Sequence, residues 1–341
     1  MMNNFYTLTP EQQIARLQSM ADQALAHWGF QGAQLRLLKY RENCVFGVHD
    51  KASGKQFAMR IHRPGYHSDA ALRSELTWME ALHADGIQTP EVIHTLQGEL
   101  MVRVEHEEVP ETRVCDLLAW VNGEVLGTIE GDVTPTAEEA RSNYHLAGQM
   151  AASVHNQASN WAVPEGFKRP IMDGPGLVGE RGYLGNFRKH PQLTADQLAL
   201  LNRAANKVSE DLEAFGKTAD RFGLTHADFL PENLLLDGET VRIIDFDDCG
   251  FGWYIMDLAT SLFFLQGEKI YDVAREGLIE GYRSVRDLPD EHLELLPACL
   301  LARGLAYVSW VASRQETEEF VELSPMLIEG SLARAEAYLA Q

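Results

Sequence analysis

The segment from Leu224 to Phe246 constrains this chain more tightly than any other. Two short apolar runs, Leu234-Leu235-Leu236 and Val241-Arg242-Ile243-Ile244, flank the turn Asp237-Gly238-Glu239, a pattern that predicts a β-hairpin. His226-Ala227-Asp228-Phe229-Leu230-Pro231-Glu232-Asn233 precedes the hairpin, and Asp245-Phe246-Asp247 closes its second strand. A hairpin returns its end to its beginning, so Asp228, Asn233 and Asp245 are expected to gather. Their carboxylate and amide oxygens are the ligands that a hard divalent cation takes.

The hairpin interrupts a region that otherwise reads as helical. From Asn122-Gly123 onward the apolar residues recur at helical spacing over 137–158, 194–215 and several stretches from Asp257 to the end. The first 120 residues read differently. Thr9-Pro10-Glu11-Gln12 is a helix start with a capping box, and Gly29 can end that helix. β-type runs follow at 35–37, 44–48 and 57–61, the last two separated by the turn Asp50 to Lys55. Ser68 opens a second helix that Gly86 can terminate, and two more strands are expected at 100–104 and 114–120. The expected fold is α+β and bilobal. Residues 1–119 form an N-terminal lobe of antiparallel sheet plus helix, and residues 124–341 a mostly helical C-terminal lobe.

Charge excludes some partners. Fifty acidic against 29 basic residues leave a formal charge of −21, which repels nucleic acid and an anionic membrane surface and is compatible with a cationic or zwitterionic small molecule. Cys44, Cys115, Cys249 and Cys299 stand far apart, so neither a zinc cluster nor a disulfide framework is expected. With no secretory signal visible at the start, a soluble cytoplasmic protein is expected. The greasiest stretch, 295–312, contains Pro297, Arg303 and Gly304 and reads as a buried helix. Gly174-Pro175-Gly176-Leu177-Val178-Gly179 matches a dinucleotide fingerprint, but Pro175 lies inside it and Lys168-Arg169-Pro170 precedes it. Ser53-Gly54-Lys55-Gln56 lacks the upstream glycine of a P-loop and reads as a turn. His145 and His155 are expected to be packed in a helix rather than bound to metal.

Phosphoryl transfer from ATP needs a carboxylate to orient and deprotonate the attacking hydroxyl, and oxygen ligands to hold magnesium on the phosphates. Asp228 and Asn233 have the H-x-D-x-x-x-x-N spacing of a kinase catalytic loop, and Asp245 stands where the following metal-binding Asp is found. The N-terminal part offers the other half of that pattern. The strand Phe57 to Ile61 carries Arg60, and the next helix carries Glu75, in the order of the basic residue and its glutamate partner in kinases.

On these residues, and on Lys39 to Asn43, Arg60 to Pro64 and Asp257-Leu258-Ala259, the chain resembles the aminoglycoside phosphotransferase and choline kinase-like family, including type II homoserine kinases and stress-response Ser/Thr kinases. The resemblance implies a protein-kinase-like fold and an ATP site between lobes, with a hinge at 120–123 and nucleotide contacts from Arg60, Glu75, Ala119 and Val121. It implies Asp228 as catalytic base, Asn233 and Asp245 on Mg2+, and His226, Asp247 and Asp257 in support, Asp257 bracing the catalytic loop. Eleven residues separate Asp245 from Asp257, too few for a peptide-docking activation loop, so a small-molecule alcohol is the expected acceptor: homoserine or another amino alcohol, a choline-like amine, or an aminoglycoside. The sequence departs from the pattern in places. Arg60 replaces the usual lysine, Ala227 the usual glycine and Leu230 the second histidine, and no glycine-rich loop precedes the third strand. Two alternatives follow: a protein Ser/Thr kinase of the stress-response type, and a nucleotide-binding pseudokinase.

Overall fold

The three strands expected between Gln34 and Arg63 form, and with two later strands they build a five-stranded antiparallel sheet. The computed structural model describes residues 5–41, 43–127 and 135–341. They fall into two units, Met1–Asn122 with Pro164–Lys168 and Gly123–Val163 with Arg169–Gln341.

In the first unit, helix α1 (Pro10–Leu25) starts at Thr9, whose hydroxyl accepts from the Gln12 N–H while the Gln12 side chain accepts from the Thr9 N–H. Gly29, at φ +78°, ends the turn that follows. Strands β1 (Gln34–Tyr40), β2 (Cys44–His49) and β3 (Gln56–Ile61) precede α2 (Asp69–Ala84), with β4 (Val102–His106) and β5 (Val109–Ala119) after it. The sheet order is β1-β2-β3-β5-β4. One face of α1 places Leu17, Met20 and Leu25 against Phe46, Met59 and Leu117 of the sheet, and this cluster is the core of the unit. Strand β5 begins before the sequence pattern suggests. Val109 pairs with His106 of the edge strand β4 beside a register irregularity, a place where a strand proline such as Pro110 is tolerated.

The second unit opens with β6 (Glu124–Val125) and α3 (Ala137–Asn160), then β7 (Ile171–Met172), α4 (Gly174–Val178), α5 (Ala195–Phe215) and β8 (Phe222–Thr225). The hairpin β9 (Leu234–Asp237) and β10 (Thr240–Ile243) forms as its apolar runs predict, and β6 adds to it as a third strand. Strand β11 (Gly250–Trp253) follows, then helices α6 (Ile255–Leu262), α7 (Tyr271–Arg283), α8 (Asp290–Leu293), α9 (Leu296–Ala312) and α10 (Glu318–Leu339).

A second small sheet, ordered β7-β11-β8, was not legible in the sequence. Its central strand reads Gly-Phe-Gly-Trp, too short and glycine-rich for a strand pattern. The glycine is there because the backbones meet closely: a Cβ on Gly250 would stand 2.6 Å from the Pro170 carbonyl oxygen. The fingerprint-like glycines of α4 have a similar packing role, Gly174 lying against Ser209 of α5. The apolar stretch Asp290–Ala312 is long enough to cross a membrane by composition, but 78% of it is buried inside this unit. All four cysteines are free and buried, and burial pushes the Cys44 thiol up to about 12.

A buried ion cluster ties α2 to the sheet of the first unit. Arg60 on β3 faces Asp116 on β5 in register, and its Nε and Nη2 donate to the two carboxylate oxygens at 2.8 and 2.9 Å. Its Nη1 donates to Glu75 of α2 at 2.7 Å, and His62 Nε2 lies 2.6 Å from Asp116. Glu75 and Asp116 are fully buried. Desolvation pushes the Asp116 carboxyl up, but Arg60 and His62 outweigh it and hold the group well below the usual carboxylate range. Such a group stabilises the fold above the unfolded carboxylate range, and that contribution is lost as pH falls through the native value. Arg60→Lys keeps the charge but loses the two-pronged bond to Asp116, so a loss of about 2 kcal/mol in urea unfolding is expected near neutral pH. The deficit should be full above about pH 5 and narrow as the pH drops below about 4, where Asp116, held less firmly in the variant, protonates before it does in the wild type.

Candidate active site

The site is built on a backbone turn that a buried carboxylate holds. Asp257, in the first turn of α6, accepts the N–H groups of His226 and Ala227 at 3.0 and 2.8 Å. Consecutive N–H groups converge on one acceptor when the backbone alternates handedness, and Ala227 sits at φ +66°. His155 of α3 lies 2.9 Å from Asp257 Oδ2, the oxygen that also accepts the His226 N–H, and 3.0 Å from the Tyr282 hydroxyl. An ionised carboxylate can only accept, so His155 donates through Nε2 and takes the Tyr282 hydroxyl proton on Nδ1. Desolvation raises the Asp257 carboxyl, but the hydrogen bonds from His155 and the His226 N–H overcome it, and the group is held below its ordinary value. The His226 ring closes the turn from within. Its Nε2 donates to the Ile244 carbonyl at 2.9 Å and its Nδ1 accepts the Asp228 N–H, while Phe229 and Phe246 pack edge-on against it.

Asp228 emerges from this turn with both carboxylate oxygens engaged. The Asn233 amide donates to Oδ2 and to the Asp228 carbonyl, each at 2.9 Å. Asn233 is carried to that place by the short turn Pro231–Asn233 and tied to the strand end through the Ile244 N–H, which donates to its carbonyl at 3.0 Å. The other oxygen, Oδ1, accepts from Arg303 Nη2 of α9 at 2.5 Å. Arg303 Nη1 reaches the Ala227 carbonyl at 2.9 Å and the Tyr183 hydroxyl at 2.7 Å, and the guanidinium lies 4.4 Å from the Tyr307 ring centre. The Asp228 side chain keeps 23% exposure, whereas Arg303 keeps 1%. The carboxylate is therefore presented outward from a cation held inside.

The second acidic cluster lies alongside. Asp245 follows β10, is exposed, and adopts φ +64°, a conformation that Asp tolerates better than most residues. Asp247 is buried, and Arg169 anchors the segment by donating to the carbonyls of Asp247 and Cys249. Burial first, and then the carboxylates of Asp228 and Asp247 and, more weakly, Asp245, push the Asp248 carboxyl well above its ordinary value, with Arg303 opposing them. The cluster thus holds more negative charge than Arg303 neutralises. That excess, and the donor set of carboxylates plus the Asn233 amide oxygen, fit a hard divalent cation. Among the described residues no three His, Cys, Asp or Glu side chains converge to hold a metal by themselves, so such an ion would need further oxygens from a ligand.

The residues picked out in the sequence from His226 to Asp257 thus gather on one turn, one hairpin end and one helix start. In the first unit, Arg60 and Glu75 meet in the buried cluster, the Ala119 N–H donates to the Glu91 carbonyl, and Val121 is half-buried just beyond β5. Sequence reasoning missed Asp116, His62, His155, Tyr183, Asp248 and Arg303. Arg303 had left a signal, as a lone charge in the most apolar helix of the chain. The strain at Ala227 is testable. A left-handed alanine costs about 1–2 kcal/mol, and the entropy a glycine adds to the unfolded chain offsets about half of that. Ala227→Gly should therefore raise the unfolding free energy by roughly 0.5–1 kcal/mol in a denaturant titration.

The chain is similar to known proteins over most of its length. Residues 35–292, more than half of the chain, match the APH phosphotransferase enzyme family. The solved structure of a microcompartment-associated aminopropanol kinase is 32% identical with a TM-score of 0.82, over 94% of this chain and 97% of that one. An amicoumacin kinase solved with AMP-PNP, Ca2+ and Ami is 18% identical with a TM-score of 0.78, over 96% of each chain, a likeness of fold. The amicoumacin kinase of Bacillus subtilis (strain 168) is 24% identical over 242 residues, which span 71% of this chain and 66% of that protein, just under two thirds of its length. The chain belongs to the APH phosphotransferase enzyme family and has its protein-kinase-like α+β fold.

Proposed function

We propose that the chain transfers the γ-phosphoryl group of ATP to the hydroxyl of a small amino alcohol, with Asp228 as the base. The observation that carries this reading is the partly exposed Asp228 carboxylate, gripped on one oxygen by Asn233 and on the other by Arg303. A carboxylate so held can accept the proton of an alcohol as its oxygen attacks phosphorus in line, with ADP leaving. Bond making and proton transfer then happen at atoms whose positions are set in advance.

Asn233 and Asp245 are the residues to hold Mg2+, which when bound would neutralise charge on the phosphates. Asp257 keeps the turn in shape through its two N–H bonds, and His226 links it to the strand end that carries Asp245. Asp247 belongs to the acidic lining. In the first unit the same reading gives the backbone of Ala119 and Val121 to the adenine, and assigns Arg60 with Glu75 to the support of the phosphate-binding strand. A protonated amine on the acceptor suits the acidic surroundings of Asp228, where Asp245 and Asp247 add their negative charge. The 32% identity to an aminopropanol kinase over nearly the whole chain supports the same acceptor class.

ADP release measured over a panel of aminopropanol, ethanolamine, homoserine, choline and an aminoglycoside tests the proposal. At least one amino alcohol should be turned over in the presence of Mg2+. Asp228→Asn should lower kcat by about a thousandfold while leaving the KM for ATP within about twofold. Equal turnover by the Asn variant, or no alcohol-dependent ADP release by the wild type, would sink the reading.

A further inference from the structure

Arg303 is the least expected charge in the molecule. It lies midway along α9, whose other buried positions are Leu, Ala, Val, Cys, Gly and Ser, and it is 1% exposed. Stability alone gives no reason for it. A buried ion pair is often no more stable than well-packed apolar side chains of the same volume. This arginine also leaves its buried Nε without a hydrogen-bond partner among the described residues. Two of its three hydrogen bonds go to the catalytic turn, to the Asp228 carboxylate and the Ala227 carbonyl, and the third goes to the Tyr183 hydroxyl, which shares Nη1 with that carbonyl. The loop itself offers no cation there. Leu230, two residues after Asp228, is apolar and buried, so the positive charge arrives from 75 residues further along the chain.

We propose that Arg303 is a positioning residue for the phosphoryl transfer: it fixes the rotamer of Asp228 by holding Oδ1, and with Asn233 on Oδ2 it decides which face of the carboxylate meets the acceptor hydroxyl. The claim rests on the reading of Asp228 as the base. Asn233 ties Oδ2 to the Asp228 carbonyl from one side, and Arg303 supplies the matching hold on Oδ1 from the other. A guanidinium bonded to both the Asp228 side chain and the carbonyl of the preceding residue locks the side chain to its own backbone. Lysine lacks that fork, since one ammonium cannot keep the geometry of both acceptors and Tyr183 together.

The test combines kinetics with a structural readout. Arg303→Ala should lower kcat by about a hundredfold and leave the KM for ATP within about twofold, because the base is misplaced while nucleotide binding persists. Added guanidinium ion at millimolar concentration should restore part of that rate by entering the vacated space, and Arg303→Lys should recover less than about a tenth of wild-type kcat. Tyr183→Phe, which touches neither Asp228 nor Ala227, should lower kcat by only about threefold to tenfold. A crystal structure of Arg303→Ala should show the Asp228 carboxylate turned away from its wild-type rotamer, with circular dichroism confirming the folded state. Arg303→Ala or Arg303→Lys with wild-type kcat, or an unmoved Asp228 in that crystal, would overturn the proposal. If Arg303→Ala does not fold, Tyr183→Phe with unchanged kcat does the same. If wild type has no activity at all, the failure is that of the base assignment, and the rotamer comparison still judges Arg303.

Discussion

The grip of Asp257 on two consecutive backbone N–H groups is the constraint from which the rest of the candidate site follows. The two groups meet one carboxylate where the backbone alternates handedness, and with no glycine in the turn Ala227 supplies the left-handed member. Once the turn is fixed, the Ala227 carbonyl and the Asp228 side chain face the same way, toward α9. The turn also sets the distance to the strand end, because His226 reaches the Ile244 carbonyl from inside. Asp257 itself depends on a third layer, the neutral His155 and the Tyr282 hydroxyl behind it. The carboxylate is thus wholly buried yet fully bonded, the condition under which a buried charge is tolerated.

Two buried arginines illustrate different uses of the same side chain. Arg60 meets two fully buried carboxylates, so its positive charge is outnumbered within its own cluster. Little of its field remains for a further anion, and its main effect is to bind strand to strand and helix to sheet. Arg303 meets one carboxylate and otherwise neutral acceptors, the Ala227 carbonyl and the Tyr183 hydroxyl. Desolvation pulls its proton affinity down, but Tyr183, Tyr307, Asp228 and Asp248 more than restore it, so the charge is secure. The first arginine is consumed by structure, while the second acts on a side chain that still reaches solvent.

Much of this was legible in the sequence, for identifiable reasons. The capped start of α1 at Thr9, the N-cap Ser68 of α2 and the hairpin around Asp237 are local signals, decided by residues within four positions of one another. The motif from His226 to Asn233 was legible because its spacing is also local. The sheet β7-β11-β8 was not, since its strands have four residues or fewer and are joined from distant parts of the chain. Asp116 and Arg303 were missed as partners for the same reason. Their separations of 56 and 75 residues from the groups they bind are products of tertiary packing, and no periodicity announces them.

The charge distribution links the fold to the chemistry proposed for it. The carboxylates beside Asp228 would repel one another if all were ionised, and the raised Asp248 carboxyl relieves that repulsion. Arg303 is placed so that this relief does not fall on Asp228: it sits against Oδ1, on the inner side, and leaves the outer side of the cluster negative. A cationic arrangement in front of Asp228 would compete with the acceptor, whereas one behind it orients the carboxylate and keeps the approach open to a positively charged alcohol. The buried, apolar Leu230 fits this logic, because it adds no cation beside the base on the loop itself. Bringing the positive charge from α9 therefore preserves both the position of the base and the negative potential in front of it.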